Sequence, residues 1–469
     1  MPNIHETTPE DHGSDAEERL LLSPHRSDAE NARGFAGHFG NRIRFALDFY
    51  LFDGKLWRRD EEGKVREMML GCFAEASKGK IDNALSLLKS VPGIPIKHSA
   101  FDHNPWHLGI PDGVIDLRSG EKVDARTAMV TKQTAVAPKE GTPRRWMRFL
   151  GEATGGDKEL AAYLQRVSGY CLTGSIEEHA LFFIFGPGGR GKSVFLETLK
   201  GMLGDYAIAI GVEALEEKSY RGIPADLARL RGVRLAIASE TADGKAWDAQ
   251  RMKALTGGDS IQARFLYANF FEFKPSHKFI VAGNSQPYLR DAGEAESRRM
   301  HMVPFTKKPD EVNLKLAEEL KEEWPQILSW ALEGLRLWQQ KGLTKPAAVI
   351  EALKSYMSEI APFEDFFEER LVAEKDGFIG SQRAKQEFQE WWDSQGGDSN
   401  RKITSTWVGK ELRKRGFVAG RTRDERGHQL RGFFGVRPRR GHKPEIVDPD
   451  ATFDPTKETL GAEEVVERL

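Results

Sequence analysis

Apolar residues in the middle of the chain fall in short unbroken runs, and each run stops at a glycine or a polar break. The first, 181-LFFIF-185, has the length of a strand buried on both faces; the glycine-rich stretch GPGGRGKS follows it, and helical spacing resumes over 192–200. The runs 233-VRLAIASE-240 and 279-FIVAGNSQP-287 repeat that form, and a further strand is expected within 297-SRRMHMVPF-305. Buried strands alternating with helical stretches predict an α/β segment with a parallel sheet over 181–305. Within it, SIQARFLY and NFFEFK are β-type runs joined near 267–269, which predicts a hairpin over 261–274. Such a hairpin is either an ordinary core element or a projecting tip.

The flanks read differently. Residues 27–140 mix helical spacing with short strands around FDG and PDG turns, which predicts an α+β domain, and 135-AVAPKEGTPRR-145 has the Pro and Gly content of a linker. Residues 146–180 read as one or two amphipathic helices, expected to serve as a collar or oligomerisation segment, and 306–371 as a helical segment with strong periodicity in EVNLKLAEELKEEWPQILSWALEGLRLW. A short helix over 404–417 and a hairpin around RGH over 417–436 make a small module spanning 378–440. Residues 1–26 are polar and acidic, the pattern of a disordered leader and not of a signal peptide, and 441–469 form an acidic tail.

Composition narrows the function classes. A chain of 469 residues has room for two to four domains, and 39% hydrophobic with 30% charged residues is the balance of a soluble globular protein. No stretch approaches the roughly 18 apolar residues of a membrane span, so a membrane partner is not expected. The two cysteines, Cys72 and Cys171, stand alone, which excludes a disulfide framework and a CxxC zinc site and points to reducing cytoplasm. The net charge of −2 conceals a split: residues 401–443 carry fourteen Lys or Arg against three Asp or Glu, whereas the tail is acidic. A small, strongly basic module is suited to the phosphates of DNA.

The candidate chemistry starts at GPGGRGKS, which fits GxxxxGK[ST] with Gly186, Pro187, Gly188, Gly189, Arg190, Gly191, Lys192 and Ser193. Its glycines allow the backbone to turn N–H groups toward phosphates, Lys192 reaches β and γ oxygens, and Ser193 ligates Mg²⁺, so ATP and Mg²⁺ are the expected cofactors. The strand 233–240 ends in Glu240, where two carboxylates are usual and Ser239 takes one place. Glu240 is a candidate for orienting the attacking water or for holding Mg²⁺ through a water. Asn284 ends the next strand and is a candidate for sensing the γ-phosphate or positioning that water. Arg298 and Arg299 precede the last strand, and an arginine that cannot reach its own phosphate can stabilise charge at a neighbour's. DNA contacts are expected from Arg264, Tyr267 and Lys274 on the hairpin, and from Lys410, Arg413, Lys414, Arg415, Arg421 and Arg423 in the basic module, whose helix and hairpin resemble a winged helix.

In this order, GPGGRGKS, LAIASE, KALTGGD with ARFLY and FEFKP, VAGNSQP and SRR with VPF resemble the superfamily 3 helicases, in particular the ATPase half of the phage and plasmid primase–helicase family. The segment 101-FDHNPWHLGIPDGVIDLRSG-120 and the residues before the glycine loop look like the poxvirus-type primase-helicase N-terminal domain, and 341-KGLTKPAAVIEALKSYM-357 looks like the helical segment that follows the motor. The resemblance covers about residues 27–440. It implies an AAA+-like P-loop core that assembles into a ring, usually hexameric, and pulls single-stranded DNA with ATP hydrolysis. Carried over, it makes Glu240 the Walker B acid, Asn284 the first sensor, Arg298 or Arg299 the finger offered to the neighbouring subunit, and Lys253 a contact to the neighbour's nucleotide. The chain departs from the family at Ser297, where an aromatic often precedes the arginine pair, and at the hairpin tip, which lacks the lysine of viral relatives. The 26 residues before the resemblance are too few for a primase catalytic domain, so priming is expected from a separate primase or polymerase. The expected activity is unwinding for phage- or plasmid-type replication in a host cytoplasm; the alternative is an initiator ATPase that melts an origin without processive unwinding.

Overall fold

Four of the apolar runs and one shorter strand pair edge to edge in a parallel sheet. In the computed structural model the described residues are 22–23, 25–73, 77–216, 225–239, 246–264, 270–284, 286–289, 294–309, 311–395, 403–423 and 428–439. The chain divides into two compact units, one of residues 1–115 and 122–132, the other of residues 116–121 and 133–469.

The first unit is α+β. Its opening helix, Asp28–Phe39, starts at Ser27, whose side chain accepts from the Glu30 amide while the Glu30 carboxylate accepts from Ser27, a reciprocal cap that satisfies two otherwise unpaired backbone donors. This helix and the helices Lys64–Cys72 and Lys78–Leu88 bury Phe35, Met69 and Leu88 in one core. Two three-stranded sheets complete the unit. Leu22, expected within a disordered leader ending at residue 26, belongs to that core: it is bridged to Phe73 and is 2% exposed. An apolar side chain with a pocket to fill orders the backbone that carries it.

In the second unit, helices α1 (Arg144–Ala153) and α2 (Lys158–Tyr170) lead into strand β1 (Leu181–Phe185) and helix α3 (Lys192–Leu203). Strands β2 (Ala207–Ala209), β3 (Leu235–Ser239), β4 (Lys278–Gly283) and β5 (Met300–Pro304) complete the sheet in the order β5-β1-β4-β3-β2, all parallel. β4 is buried at every residue, as a central strand covered on both faces must be. Helix α4 (Ala249–Thr256) and the paired segments Ile261–Ala263 and Phe271–Phe273 lie between β3 and β4, and helix α5 (Glu294–Arg299) runs into β5. The sheet thus has the mixed α/β form expected for 181–305, with one strand that the periodicity did not disclose: β2 is three residues long, too short to show alternation or a run.

Helices α6 (Leu316–Glu322), α7 (Trp324–Lys341) and α8 (Ala347–Arg370) follow. α7 packs on α2, with Tyr170 and Trp338 ring centroids 4.7 Å apart and the Gln165 amide donating to the Trp330 carbonyl at 2.9 Å. Strand β6 (Leu371–Gly380), helices α9 (Ser381–Ser394) and α10 (Ser405–Lys414), and strands β7 (Val418–Arg423) and β8 (Gln429–Pro438) form the C-terminal module around an antiparallel sheet ordered β6-β8-β7. The module begins before residue 378. Phe363 and Phe366 near the end of α8 are buried in its core with Phe388, Trp391, Val408 and Phe433, so the last turns of the helical segment are part of the module they lead into. Among the described residues, no helix is long and apolar enough to cross a membrane.

Candidate functional site

The register of the parallel sheet brings the candidate residues to one end. Gly283 lies beside Phe185, so Asn284 and Gly186 leave adjacent strands together, and Ser239 ends β3 beside Ala282. Glu240 follows Ser239 and is outside the described residues, as is Tyr267. The turn after β1 is tight. Gly186 has φ 147°, and a Cβ there would stand 2.0 Å from the Phe305 carbonyl oxygen, so the loop requires glycine at this position. Gly189 and Gly191 are left-handed, with φ 72° and 82°, and α3 starts directly after Gly191. Its free backbone N–H groups and positive end face the loop.

Lys192 is buried in this turn. Its ammonium donates to the carbonyl oxygens of Gly186 at 2.6 Å and Pro187 at 2.9 Å, and to Oδ1 of Asn284 at 2.9 Å. These three acceptors match the three donors of an ammonium group, and none carries charge. Burial holds the pKa of Lys192 below that of an ordinary lysine, and the Arg190 guanidinium lowers it further. Pro187, Gly188, Gly189 and Ser193 are exposed, and Arg190 is half-buried. Among the described residues, no group of three or more His, Cys, Asp or Glu is placed to hold a metal ion by itself.

Arg298 and Arg299 stand elsewhere. They end α5, ahead of Met300, and Met300 pairs with Leu181 at the beginning of β1. The glycine turn leaves the other end of β1, and five residues of strand at about 3.3 Å each put roughly 16 Å between them. Arg298 is exposed and Arg299 half-buried. Lys253 is exposed on α4, Lys274 is exposed just beyond the hairpin, and the Arg264 guanidinium lies 5.1 Å over the ring of Phe270, which is 60% exposed.

In the C-terminal module the basic residues divide. Lys410, Arg413, Arg421 and Arg423 are exposed, and Arg421 lies directly opposite Arg431 across the β7–β8 pair. Like charges so paired repel unless an anion sits between them. Arg415, expected to contact DNA, is buried: Nε donates to Glu364 at 3.0 Å, Nη2 pairs with the same carboxylate, and Nη1 meets the Glu411 carboxylate at 3.2 Å. That expectation is corrected, because a side chain 5% exposed between two carboxylates has no face left for phosphate. Lys414, half-buried, pairs with Glu411 at 2.9 Å.

Comparison with known proteins places these features in context. Residues 32–155 match the family described as D5 N terminal like, and residues 184–299 match a family of unknown function, DUF5906, which takes in the glycine loop, the hairpin, Asn284 and the arginine pair. Three viral proteins carrying helicase as a provisional name are similar. The chain is 28% identical over 324 residues to one from Acanthamoeba polyphaga mimivirus, covering 62% of this chain and 33% of that protein. It is 27% identical over 267 residues to one from Frog virus 3 (isolate Goorha), covering 50% and 26%, and 26% identical over 220 residues to one from Invertebrate iridescent virus 3, covering 44% and 23%. The chain therefore spans a third or less of the length of these relatives. The apo A form of the NrS-1 C-terminal region superposes over 84% of this chain and 95% of that one, at 11% identity and a TM-score of 0.46. The class these findings define is a mixed α/β protein with a D5 N-terminal-like segment, similar to viral proteins provisionally named helicases.

Proposed function

We propose that the chain is the ATP-driven motor portion of a DNA helicase of the D5-like primase-helicase type. The observation that carries the reading is the meeting of Lys192, on the glycine loop, with Asn284, at the end of the neighbouring strand, 92 positions apart in the chain. The strand order supports a P-loop core of AAA+-like form, since loop, acid strand and Asn284 all leave the sheet at one end. ATP binds with its phosphates against the turn 186–191, where the close backbone approach at Gly186 and the start of α3 suit an anion. Bound Mg²⁺ supplies charge neutralisation at the β- and γ-phosphates. Ser193 and Glu240 are its ligands in this reading, Lys192 exchanges its present acceptors for phosphate oxygens, and Asn284 orients the attacking water.

The distance of Arg298 and Arg299 from their own glycine turn supports action in trans, at the nucleotide of the next subunit in a homo-oligomeric ring, six subunits in the family resembled. The hairpin carrying Arg264 and Tyr267, with Lys274 beyond it, grips single-stranded DNA. The C-terminal module, read as a winged helix, holds duplex phosphates through Lys410, Arg413, Arg421 and Arg423.

The test is ATP hydrolysis with and without single-stranded DNA, combined with strand displacement on a forked duplex. DNA-stimulated hydrolysis with displacement is expected, and subunits altered at Arg298 and Arg299 should regain hydrolysis when mixed with subunits altered at Lys192. Stimulated hydrolysis without displacement would favour the initiator reading, and hydrolysis indifferent to DNA would remove both.

A further inference from the structure

The segment 341-KGLTKPAAVIEALKSYM-357 opens with a link between α7 and α8, and one side chain of that link reaches the backbone of the arginine pair. The Lys345 ammonium donates to the carbonyl oxygen of Arg298 at 3.2 Å and to that of Met300 at 3.5 Å, 47 and 45 positions upstream. α5 ends at Arg299, so the Arg298 carbonyl belongs to its last turn, where carbonyls lack acceptor partners within the helix and a lysine can supply them. The two contacts fall on either side of Arg299. Lys345 therefore holds the backbone where the arginines leave the helix for β5.

The link that carries Lys345 is itself clamped. Buried Arg166 on α2 donates from Nε to the Leu343 carbonyl at 2.9 Å and from Nη2 to the Thr344 carbonyl at 3.0 Å. The Leu343 amide donates to Oε1 of Glu178 at 3.2 Å, and the same oxygen accepts from Nε1 of Trp338 on α7 at 2.7 Å. Thr344 has φ 42°, a left-handed conformation that a β-branched residue keeps only where its surroundings impose it. Pro346, buried, then leads into α8. Residues 343–346 are thus fixed from α2, α7 and α8, and Lys345 projects from a rigid base.

The chemistry of the contact suits holding a position more than adding stability. Both acceptors of the Lys345 ammonium are neutral carbonyls, and the side chain is half-buried, which lowers its pKa while Glu178 acts in the opposite direction. His301, the residue after Met300, is kept neutral by burial and by the charge of Lys345. Arg298 is exposed, so water can replace the ammonium at its carbonyl if the lysine is removed. A water would satisfy the carbonyl, but it would not tie the end of α5 to α2 and α7.

We propose that Lys345 is a positioning residue for the arginine pair: by holding the carbonyls on either side of Arg299 it sets the direction in which Arg298 and Arg299 project, and it ties that direction to α2 and α7. The proposal rests on the reading in which the pair acts at a neighbour's nucleotide, and it adds the residue that aims the pair. A guanidinium placed at transition-state charge raises turnover about 10³–10⁵-fold, and a misplacement of about 1 Å costs about 10²-fold. Loss of aim lowers turnover and leaves ground-state binding of the nucleotide as it was.

The experiment measures kcat and KM for ATP hydrolysis by the full chain with Mg²⁺ and single-stranded DNA, for Lys345→Met and Lys345→Arg, alone and mixed with Lys192→Ala subunits. Lys345→Met, which keeps the apolar stem and loses the donors, should lower kcat about 10²-fold with KM for ATP unchanged. Lys345→Arg, whose guanidinium can donate to both carbonyls, should recover most of that loss. Lys345→Met subunits should regain hydrolysis when mixed with Lys192→Ala subunits, because their own glycine turns are intact and the neighbour's arginines are correctly aimed; a misfolded subunit would not complement. Wild-type kcat in Lys345→Met would overturn the proposal, and so would a loss that neither Lys345→Arg nor mixing restores. If Arg298→Ala and Arg299→Ala chains hydrolyse ATP at the wild-type rate, the reading in trans itself fails and the role of Lys345 falls with it; if those chains fail and Lys345→Met does not, only the positioning role is lost.

Discussion

Lys192 in the glycine turn and Arg415 in the C-terminal module are 8% and 7% exposed, and in the sequence both sit in motifs that suggest contact with phosphate. Their surroundings separate them. Lys192 is held by two carbonyl oxygens and an amide oxygen, and among the described residues no carboxylate pairs with it. Arg415 lies between Glu364 and Glu411, donates also to the Glu411 carbonyl oxygen at 2.9 Å, and has its guanidinium 4.5 Å over the Phe363 ring. Neutral acceptors orient a cation and leave its charge available to an incoming anion; carboxylates cancel the charge and make it part of the core. His277 shows a third resolution of the same problem. It is 1% exposed, and burial, helped by the adjacent Lys278, pushes its pKa down to about 3, so the ring is neutral at ordinary pH.

The contrast can be broken by experiment. The largest effect is expected at Lys192: Lys192→Ala should lower ATP hydrolysis by about 10³-fold, with the thermal midpoint close to that of the wild-type chain. Arg415→Leu should do the reverse, costing about 3–5 kcal/mol of stability by taking a buried cation from Glu364 and from Glu411, which keeps Lys414, as read by denaturant unfolding, while DNA-independent hydrolysis persists. An Arg415→Leu chain of normal stability with weakened DNA binding would erase the distinction.

The histidine gives a smaller and pH-dependent signal. An unfolded histidine titrates near 6.5, so between pH 6.5 and about 3 the unfolded chain binds more protons than the folded one. Stability is therefore full above pH 6.5 and falls as the pH drops; about 2 kcal/mol should be lost by pH 5. Unfolding midpoints of wild type and His277→Phe measured from pH 8 to pH 4.5 check this, and the substituted chain should show the flatter curve. The smallest change is expected on the exposed strand β7. Arg421→Ala and Arg423→Ala should each reduce the slope of log affinity for duplex DNA against log salt by about 1, with no loss of stability. Unchanged salt slopes for both would remove β7 from the DNA surface.

Much of the glycine turn was legible because its signal is local. Eight consecutive residues carry it, and continuous apolar runs on either side mark strands by composition alone. The hairpin was legible in kind, although its paired strands are limited to Ile261–Ala263 and Phe271–Phe273. The basic module was visible as a charge imbalance, but charge counting could not separate Arg415 from Arg413, two residues away, because the carboxylate that decides the matter, Glu364, lies 51 positions upstream on α8. Phe149 and Val312, which line a groove beside the glycine turn, escaped notice for a related reason. A phenylalanine in an amphipathic helix is unremarkable singly, and Val312, with Leu316 four residues on, reads as one more position of the periodic stretch EVNLKLAEELKEEW, although the helix begins only at Leu316.

The sequence by itself determined the element types, the glycine turn and the excess of cations near the C-terminus, since periodicity, backbone freedom and charge are properties of residues and their near neighbours. Tertiary structure decided which strands lie side by side, that Asn284 meets Lys192, that Arg298 and Arg299 stand at the far end of the sheet, and that Arg415 is spent within the fold. Those outcomes depend on strand register and on burial between residues tens to more than a hundred positions apart, where the free energy of packing many side chains together outweighs any local preference.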